Sequence, residues 1–396
     1  MKCLIFFASV ALLWAGTSFA ELAVDKNVDG GNAEIVSIDG NTITFRPELR
    51  DTKGWWFYWR FDILGAGGKT VTLQCADKNC FDYEGAAVSF DNGKTWKYTG
   101  HESVDFKNRR LSISVPADAE RVGVSFAIPY TPKNFDALLK KYADRPELKK
   151  RVLAETKKGR NNFRITLEPV GRAAQKKIAF TARHHACEMP ANYVIDGIVS
   201  RYFSDTPQGK WARKNLAVLI VPFVDYDGVV DGDQGKNRIP HDHNRDYVDE
   251  IHPSVRAIKK LLPEWGGGNL IFAIDINCPY ISLRNPEDIN DRLFFTAPQT
   301  QKANDNLKEF MLRFSKHLSE APDRPQMKPN DIVKYGTKWN RLKQPLLFKF
   351  WAERLPSVKF AASLEVPYTN ISSKWVATPE NLEYIGEKLL DTAVEY

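Results

Sequence analysis

Residues 181–197 read TARHHACEMPANYVIDG, and the core of this stretch places His185 three residues before Glu188. An imidazole and a carboxylate at this spacing can bind one zinc ion together. Catalytic zinc usually takes three protein ligands and leaves the fourth position for water. The pair therefore raises the question of which residue supplies the third ligand.

The sequence around this stretch alternates between strands and helices. The run NLAVLIVPFVD (215–225) is nearly continuous in apolar residues, as a strand in a buried parallel sheet requires. Repeated alternation predicts an α/β fold with a mainly parallel mixed sheet flanked by helices on both faces. In such sheets the site lies at the carboxyl ends of the strands. Other predicted elements are the strands at 176–182, 266–280 and 357–370 and the helices at 191–203, 304–318 and 378–396.

The rest of the 396-residue chain suits a second domain. Short alternating strands separated by turn signals predict an antiparallel β-sandwich over residues 21–132. Its stretch GWWFYWRFDI (54–63) is typical of a buried core strand, and a sugar-stacking platform is the less common alternative. A charged stretch predicts a helical linker over 133–160, and residues 161–396 form the α/β domain.

The N-terminus, MKCLIFFASVALLWAGTSFA, has one lysine, a short apolar run and a small-x-small end, which predicts a signal peptide over 1–20. The mature protein would then be exported, to the periplasm or the medium. No other segment is apolar enough to span a bilayer, so we expect no stable membrane insertion after cleavage. A net charge of +7 is mild for this length, and no motif indicates a nucleic-acid partner.

Cleavage would remove Cys3 and leave Cys75, Cys80, Cys187 and Cys278. An even number of cysteines in an oxidising compartment permits two disulfides. Cys75 and Cys80 flank the turn-like ADKN and could bridge a local hairpin. The alternative is that the cysteines are small buried hydrophobic residues.

Polar residues stand at the ends of several predicted apolar strands. His185 and Glu188 follow one strand, and a long polar segment, DYDGVVDGDQGKNRIPHDHNRDY (225–247), follows the next. Asp275 and Asn277 end a third strand, in AIDINCPY. Glu365 lies within the apolar strand SLEVPY, where a carboxylate is costly unless it is paired or functional.

In these blocks the sequence resembles the M14 metallocarboxypeptidases, most closely their cytosolic-carboxypeptidase-like branch, which joins an N-terminal β-sandwich to a zinc peptidase domain. GWWFYWRF and FAIPYTPKNFDALL resemble the sandwich and its exit. ARHHACEMPANYVIDG, VPFVDYDGV, DHNRDY and SLEVPY resemble the peptidase blocks, in the family's order. The resemblance covers nearly the whole mature chain, and it implies a zinc-dependent hydrolase acting on the C-termini of peptides or proteins.

The resemblance also implies a role for individual residues. His185 and Glu188 match the family's H-x-x-E zinc ligands, and Glu365 matches the general base that takes a proton from water. Asn244 and Arg245 match the pair that holds the substrate's terminal carboxylate, which suits the forked guanidinium of arginine. Arg238 resembles the arginine that stabilises the oxyanion.

The sequence departs from the family at the third zinc ligand. The family has a D-x-H pattern on the next central strand, whereas this chain has Asp275-Ile276-Asn277. An amide oxygen is a poorer zinc ligand than imidazole. Of the remaining histidines, His184 should point to the opposite face of the strand from His185, and His243 falls in the carboxylate-binding block.

Three functions follow from these observations. The first is an exported zinc carboxypeptidase whose metal site is completed by Asn277, directly or through water. The second is a catalytically degenerate protein that binds peptide C-termini without turnover. The third is carbohydrate binding by the N-terminal domain. Because Cys187 and Cys278 both adjoin matched ligand positions, a disulfide between them is a further hypothesis.

Overall fold

The computed structural model describes residues 21–281, 288–341 and 346–396. The predicted signal peptide, with Cys3, lies outside these residues. Among the helices that are described, none combines the length and apolar character needed to cross a membrane.

Ten short strands form the N-terminal part of the protein. They are β1 (Ala23–Asp25), β2 (Glu34–Asp39), β3 (Thr42–Arg46), β4 (Arg60–Leu64), β5 (Thr70–Cys75), β6 (Ala87–Ser89), β7 (Lys97–Tyr98), β8 (Val104–Asp105), β9 (Arg110–Ser114) and β10 (Arg121–Ser125). They pair into two sheets with strand orders β1-β4-β10-β6-β7 and β2-β3-β5-β9-β8. Phe45 of one sheet packs edge-on against Phe61 of the other, with ring centres 5.2 Å apart. The sandwich prediction is confirmed, except that β3 and β5 pair in parallel.

The aromatic stretch at 54–63 supplies the sandwich core. Phe57, Trp59 and Phe61 are fully buried, although only the segment from Arg60 onward is a regular strand. This burial confirms the core interpretation and excludes Trp59 from a sugar platform, whereas Trp55 and Trp56 are only partly buried. Trp56 is partly buried and extends toward the second domain, where it lines the cavity described below.

One of the two disulfides considered from the sequence is present. Cys75 and Cys80 form a disulfide at the end of β5. Cys187 and Cys278 are free, buried thiols, so the second disulfide that we considered is not formed. The Cys187 sulfur instead lies 3.3 Å from the Tyr368 hydroxyl, in hydrogen-bonding contact with it.

The predicted helical linker at 133–160 is wrong over most of its length. Helix α1 (Pro132–Lys140) is helical, but residues Leu148–Glu155 form strand β11, which pairs antiparallel with β12 (Asn161–Leu167). Charged residues give this segment a helix-like composition, yet pairing at a sheet edge overrides intrinsic propensity. Lysines and arginines are well suited to an edge strand, because they discourage pairing with other chains.

The second domain is built on one eight-stranded sheet with the order β11-β12-β14-β13-β15-β18-β16-β17. The four central strands run parallel to one another, and the one strand next to them on each side is antiparallel to them. A two-stranded hairpin follows the sheet. The remaining strands are β13 (Lys176–Ala182), β14 (Leu216–Val221), β15 (Leu270–Asn277), β16 (Phe294–Thr296), β17 (Ile332–Val333), β18 (Phe360–Glu365), β19 (Asn370–Ile371) and β20 (Trp375–Val376).

Helices cover both faces of this sheet, which explains why its central strands are apolar on both sides. The helices are α2 (Pro190–Phe203), α3 (Pro207–Asn215), α4 (Tyr226–Asp231), α5 (Pro253–Gly266), α6 (Gln301–Leu318), α7 (Phe348–Ala352) and α8 (Pro379–Glu395). One face packs against α5 and α7, and the other against α2, α6 and α8. The predicted α/β class and mixed sheet are therefore confirmed.

Helix α2 begins directly after the stretch that carries His185 and Glu188, and its position is fixed by close packing against α8. A Cβ atom at Gly197 would lie 1.9 Å from the carbonyl oxygen of Glu383, and one at Gly386 would lie 1.9 Å from that of Val194. Both glycines are thus required by the close approach of two helix backbones.

Candidate active site

Three neighbouring parallel strands bring the candidate residues together. His185 and Glu188 lie in the connection between β13 and α2, Asn277 ends β15, and Glu365 ends β18. Strand β15 lies between β13 and β18, and Asn277 is directly opposite Glu365 in the β15–β18 register. The carboxyl ends of these strands therefore form one site, as the strand pattern predicts.

A cavity of about 420 Å³ opens at these strand ends. Its walls come from both domains, since Trp56 belongs to the sandwich. The lining residues that carry polar or aromatic groups are Trp56, His185, Lys236, Asn237, Asp242, Asn244, Arg245, Asn277, Tyr280, Asn290, Thr296, Trp339, Asn340, Lys349, Ser363 and Glu365. Arg238 is the only predicted site residue besides Glu188 that does not appear in this lining.

His185 and Glu188 face each other as a buried pair. The Nδ1 atom of His185 lies 3.0 Å from Glu188 Oε1, and its Nε2 atom lies 3.6 Å from Asp242 Oδ1. A carboxylate on the far nitrogen is the usual means of orienting a metal-binding histidine. Burial alone would raise the pKa of Glu188, but His185 and Lys236 outweigh burial and lower that pKa to about 2.

Asn277 is held in one orientation by Asp275. The Asn277 Nδ2 atom donates to Asp275 Oδ2 at 2.7 Å, whereas Asn277 Oδ1 is buried without a hydrogen-bond partner among the described residues. Asp275 also accepts from Thr181 at 2.7 Å and contacts His184 Nδ1 at 2.7 Å. His184 Nε2 lies 2.8 Å from the Tyr247 hydroxyl, so both ring nitrogens are engaged and His184 cannot serve as the missing ligand. Strand β13 ends at Ala182, before His184 and His185, so strand alternation does not set their directions.

Glu365 is a nearly buried carboxyl group at the cavity wall. Burial raises its pKa to about 7, against the lowering effect of nearby Lys236 and Lys349. Lys349 lies deeper and donates to Thr296 Oγ1 at 2.5 Å and to Asn340 Oδ1 at 2.8 Å. A carboxyl with a pKa near neutrality changes its protonation state easily, as a general base must.

Asn244 and Arg245 differ in how many of their side-chain hydrogen-bond donors remain free to bind a ligand. Asn244 donates to Asp275 Oδ2 at 3.1 Å and accepts from the Phe348 backbone N–H at 3.1 Å, so its amide is fixed and one N–H remains. Arg245 forms no ion pair with any described residue, and its guanidinium lines the cavity. A cation without a counter-ion in a cavity is suited to binding a carboxylate.

Arg238, our candidate for oxyanion stabilisation, has a different environment. Its guanidinium contacts Asp225 Oδ2 at 2.8 Å, Asp233 Oδ2 at 3.1 Å and Asp51 Oδ2 at 3.1 Å. Three carboxylates thus hold it away from the cavity, and Asp51 connects it to the sandwich. Arg238 joins the two domains, and the geometry does not support a direct catalytic role.

Lys236 takes the place in the cavity that we expected for Arg238. Its Nζ atom lies 2.7 Å from Glu188 Oε1 and 5.4 Å from the centre of the Trp56 ring. The preceding Gly235 has φ +72°, and a Cβ there would lie 2.2 Å from the Ala186 backbone nitrogen. Only glycine allows this approach, and the G-K pair two residues before Arg238 is the sequence signal that could have indicated Lys236.

The donor atoms present fit a divalent cation. His185 and Glu188 supply one nitrogen and one carboxylate, and Glu188 Oε2 and Asn277 Oδ1 are both buried without a hydrogen-bond partner among the described residues. Unsatisfied buried oxygens are costly unless something else binds them. A ligand set with two imidazoles would bind zinc more strongly than this set, in which an amide oxygen, a harder donor atom, replaces the second imidazole.

A second group of potential ligands lies nearby but is satisfied by hydrogen bonds. His241, Asp246 and His252 place ligand atoms within 4.8 Å of one another. His241 Nε2 bonds Asp246 Oδ1 at 2.6 Å, and His252 Nε2 lies 3.1 Å from the His241 carbonyl. Asp246 also accepts the backbone N–H groups of Ile251 and His252. This group stabilises the turn that follows Arg245.

Burial of His252 predicts acid sensitivity of the fold. Burial lowers the pKa of His252 to about 4, so the folded state binds its proton more weakly than the unfolded chain, whose value is about 6.5. The contribution of neutral His252 to the free energy of unfolding should be complete above about pH 6.5. It should fall by up to about 3 kcal/mol as the pH decreases toward 4.

The measurement is the free energy of unfolding in urea at pH 7.5 and pH 4.5, for the natural protein and for His252→Gln. Other groups also titrate between pH 7.5 and pH 4.5. The loss of unfolding free energy between these two pH values is therefore compared between the natural protein and His252→Gln. A variant as acid-sensitive as the natural protein would contradict the prediction.

Comparison with known proteins bears on the fold and on the sequence. No family model matches the chain. Cytosolic carboxypeptidase 6 of Caenorhabditis elegans is 30% identical over 152 residues, which are 36% of this chain and 33% of that protein. The matched segment therefore spans about a third of this curated relative.

Solved structures match over almost the whole chain. A metallo-carboxypeptidase from Burkholderia cenocepacia superimposes with a TM-score of 0.76 at 19% identity, covering 95% of this chain and 98% of that one. A metallo-carboxypeptidase from Pseudomonas aeruginosa gives a TM-score of 0.76 at 14% identity, with coverage of 94% and 98%. The chain therefore has the metallo-carboxypeptidase fold, and in sequence it resembles the cytosolic carboxypeptidases.

Proposed function

We propose that this protein removes the C-terminal residue from peptides in the cavity at the strand ends. The observation that carries the proposal is that one cavity contains both the unpaired guanidinium of Arg245 and the buried carboxyl of Glu365, beside the donors His185 and Asn277. Carboxylate recognition and a general base are the two protein functions that exopeptidase chemistry needs close together.

His185, Glu188 and Asn277 are the residues that would hold zinc. When bound, zinc would polarise the scissile carbonyl and make water a stronger nucleophile. Asp275 orients Asn277 through a hydrogen bond of 2.7 Å, whereas the Asp242 carboxylate lies 3.6 Å from His185 Nε2, too far for a hydrogen bond. That these three residues form the metal site is part of the proposal.

Arg245 would bind the terminal carboxylate of the substrate, with the remaining N–H of Asn244 beside it. Glu365 would then accept the proton of the attacking water on its carboxylate. Lys236, the cavity cation nearest to Glu188, would face the developing negative charge in place of Arg238. Trp56 and Tyr280, whose ring centres are 5.5 Å apart, would limit the access of bulk water from the sandwich side.

The second candidate is a protein that binds peptide C-termini without cleaving them. Two observations favour it: an amide stands at position 277, and an ammonium group already pairs with Glu188. Under this alternative Arg245 keeps its role, and Glu365 has no chemical step to perform.

We infer in addition that the protein is exported, and that its substrates are peptides of the cell envelope or the medium. The Cys75–Cys80 disulfide supports this, because structural disulfides persist in oxidising compartments. Sequencing the N-terminus of the protein recovered from each cell fraction tests the inference. A cytoplasmic protein that retains residues 1–20 would contradict it.

The decisive experiment on function is incubation of the purified protein, supplied with zinc, with a mixture of peptides that differ at the last residue. Each peptide is offered with a free and with an amidated C-terminus, and products are measured by mass spectrometry. We expect release of single C-terminal residues from free acids and none from amides. Binding of free acids without release would favour the second candidate, and cleavage of both forms would contradict C-terminal recognition.

A further inference from the structure

Lys236 is a nearly buried cation that is fixed beside a candidate metal ligand. Its side chain is 13% exposed, and its ammonium lies 2.7 Å from Glu188 Oε1 and 3.4 Å from the Cys278 carbonyl oxygen. Lysine is almost never buried unless it has a counter-ion. Glu188 is fully buried and is the carboxylate that Lys236 contacts at the shortest distance.

The position of Lys236 is imposed by its backbone. The Gln234 carbonyl accepts from the Cys187 N–H at 3.2 Å, and the Gln234 side chain bonds both the N–H and the carbonyl of Tyr58, at 2.8 and 2.7 Å. Gly235 then passes against the Ala186 backbone. The segment that carries Lys236 is therefore attached to the segment that carries His185 and Glu188, and to the sandwich as well.

A divalent ion on Glu188 would meet this ammonium. Both cations would share one fully buried carboxylate, where water screens charges little and like charges repel strongly. The third donor, Asn277, has no charge with which to favour the metal. In a site with a stronger third ligand, the metal would bind tightly enough to displace Lys236 from Glu188. Here the third ligand is weak, so the metal and Lys236 bind Glu188 with more similar free energies.

We propose that Lys236 competes with a divalent metal for Glu188, so that the site alternates between a state in which Lys236 pairs with Glu188 and a state in which the metal is bound and Lys236 has left Glu188. This regulation of the site rests on the metal ligands assigned in the proposed function. Such competition lowers the apparent metal affinity, and so raises the free metal concentration at which the site fills.

The test is a titration of the metal-free, full mature protein with zinc against a chromophoric chelator, which measures affinity without requiring turnover. Lys236→Met removes the charge and keeps much of the side-chain volume. We expect it to raise zinc affinity at least about tenfold, in the range by which neighbouring residues change metal affinity. Asn277→His should raise affinity as well, and Glu188→Gln should reduce it in every background.

Lys388→Met is the matched control. Lys388 is another nearly buried lysine with a carboxylate partner, Glu320, at 2.6 Å, on α8 and outside the cavity. Its substitution should leave zinc affinity unchanged. If Lys236→Met does not fold, Lys236→Gln serves instead, because it can still donate to Glu188 but carries no charge.

The outcomes separate this inference from the proposed function. Tighter zinc binding by Lys236→Met supports the competition even if neither protein cleaves peptides. Unchanged or weaker binding by the folded Lys236 variants overturns the competition, even if the natural protein is an active peptidase. Absence of zinc binding in all variants, Asn277→His included, also overturns it.

Discussion

Glu365→Gln is expected to lower kcat on free-acid peptides by about 10³-fold, within the range attributed to general bases. Glutamine has the shape of glutamate and can occupy the same buried position at the end of β18, but it cannot take a proton from water. Peptide affinity should change by less than about threefold, because Arg245 is untouched and glutamine keeps the shape of the cavity wall at this position. The measurements are steady-state kinetics and the peptide Kd of the variant.

The pH dependence of the natural protein gives an independent check. The base must be ionised, and burial raises the pKa of Glu365 to about 7. A carboxyl is ionised above its pKa, so kcat/KM should rise with pH through about 7 and level off above it. An ordinary carboxyl would give a rise near pH 4 instead.

Glu383→Gln is a suitable control, since burial also raises the pKa of Glu383 on α8, outside the cavity. It should keep nearly full activity. If Glu365→Gln retains natural kcat, the role of Glu365 as base is wrong, and the carboxyl would then be a buried structural group whose charge interacts with Lys236 and Lys349.

The sequence could reveal those site residues whose positions are set by near neighbours in the chain or by the end of a strand. His185 and Glu188 are three residues apart, so their proximity depends on one local turn. Asn277 and Glu365 end neighbouring parallel strands, and the apolar character of both strands is enough to place these residues at one sheet edge.

The parts that could not be predicted depend on partners far away in the chain. Lys236 and Arg238 are two residues apart and both basic, and Arg238 leaves the cavity because of Asp51 in the sandwich and Asp225 after β14. Trp56 enters the cavity only because the two domains pack together. Strand β11 formed where composition favoured a helix, because β12 offered an open edge. Local sequence carries no signal for such long-range contacts.

Arg245→Ala should weaken the binding of free-acid peptides by about 10²-fold, which corresponds to about 2.8 kcal/mol. The guanidinium has no ion-pair partner among the described residues, and its charge is a smaller cause than His185 of the low pKa of the buried Asp242 carboxyl, so its removal breaks no direct ion pair in the free protein. The loss should therefore report the contact with substrate, through hydrogen bonds that are charged on both sides. Isothermal titration with a peptide and with its C-terminal amide measures both affinities.

The amide provides the control within the same experiment. It lacks the charge that Arg245 would bind, so natural protein and Arg245→Ala should bind the amide with nearly equal Kd, similar to that of the variant for the free acid. Arg245→Lys keeps the charge but loses the fork, and it should recover only part of the affinity. Equal weakening for acid and amide would mean that the substitution disturbed the cavity, and that the terminal carboxylate binds elsewhere. This cycle tests carboxylate recognition under both candidate functions, since a binder and a peptidase need Arg245 for the same contact.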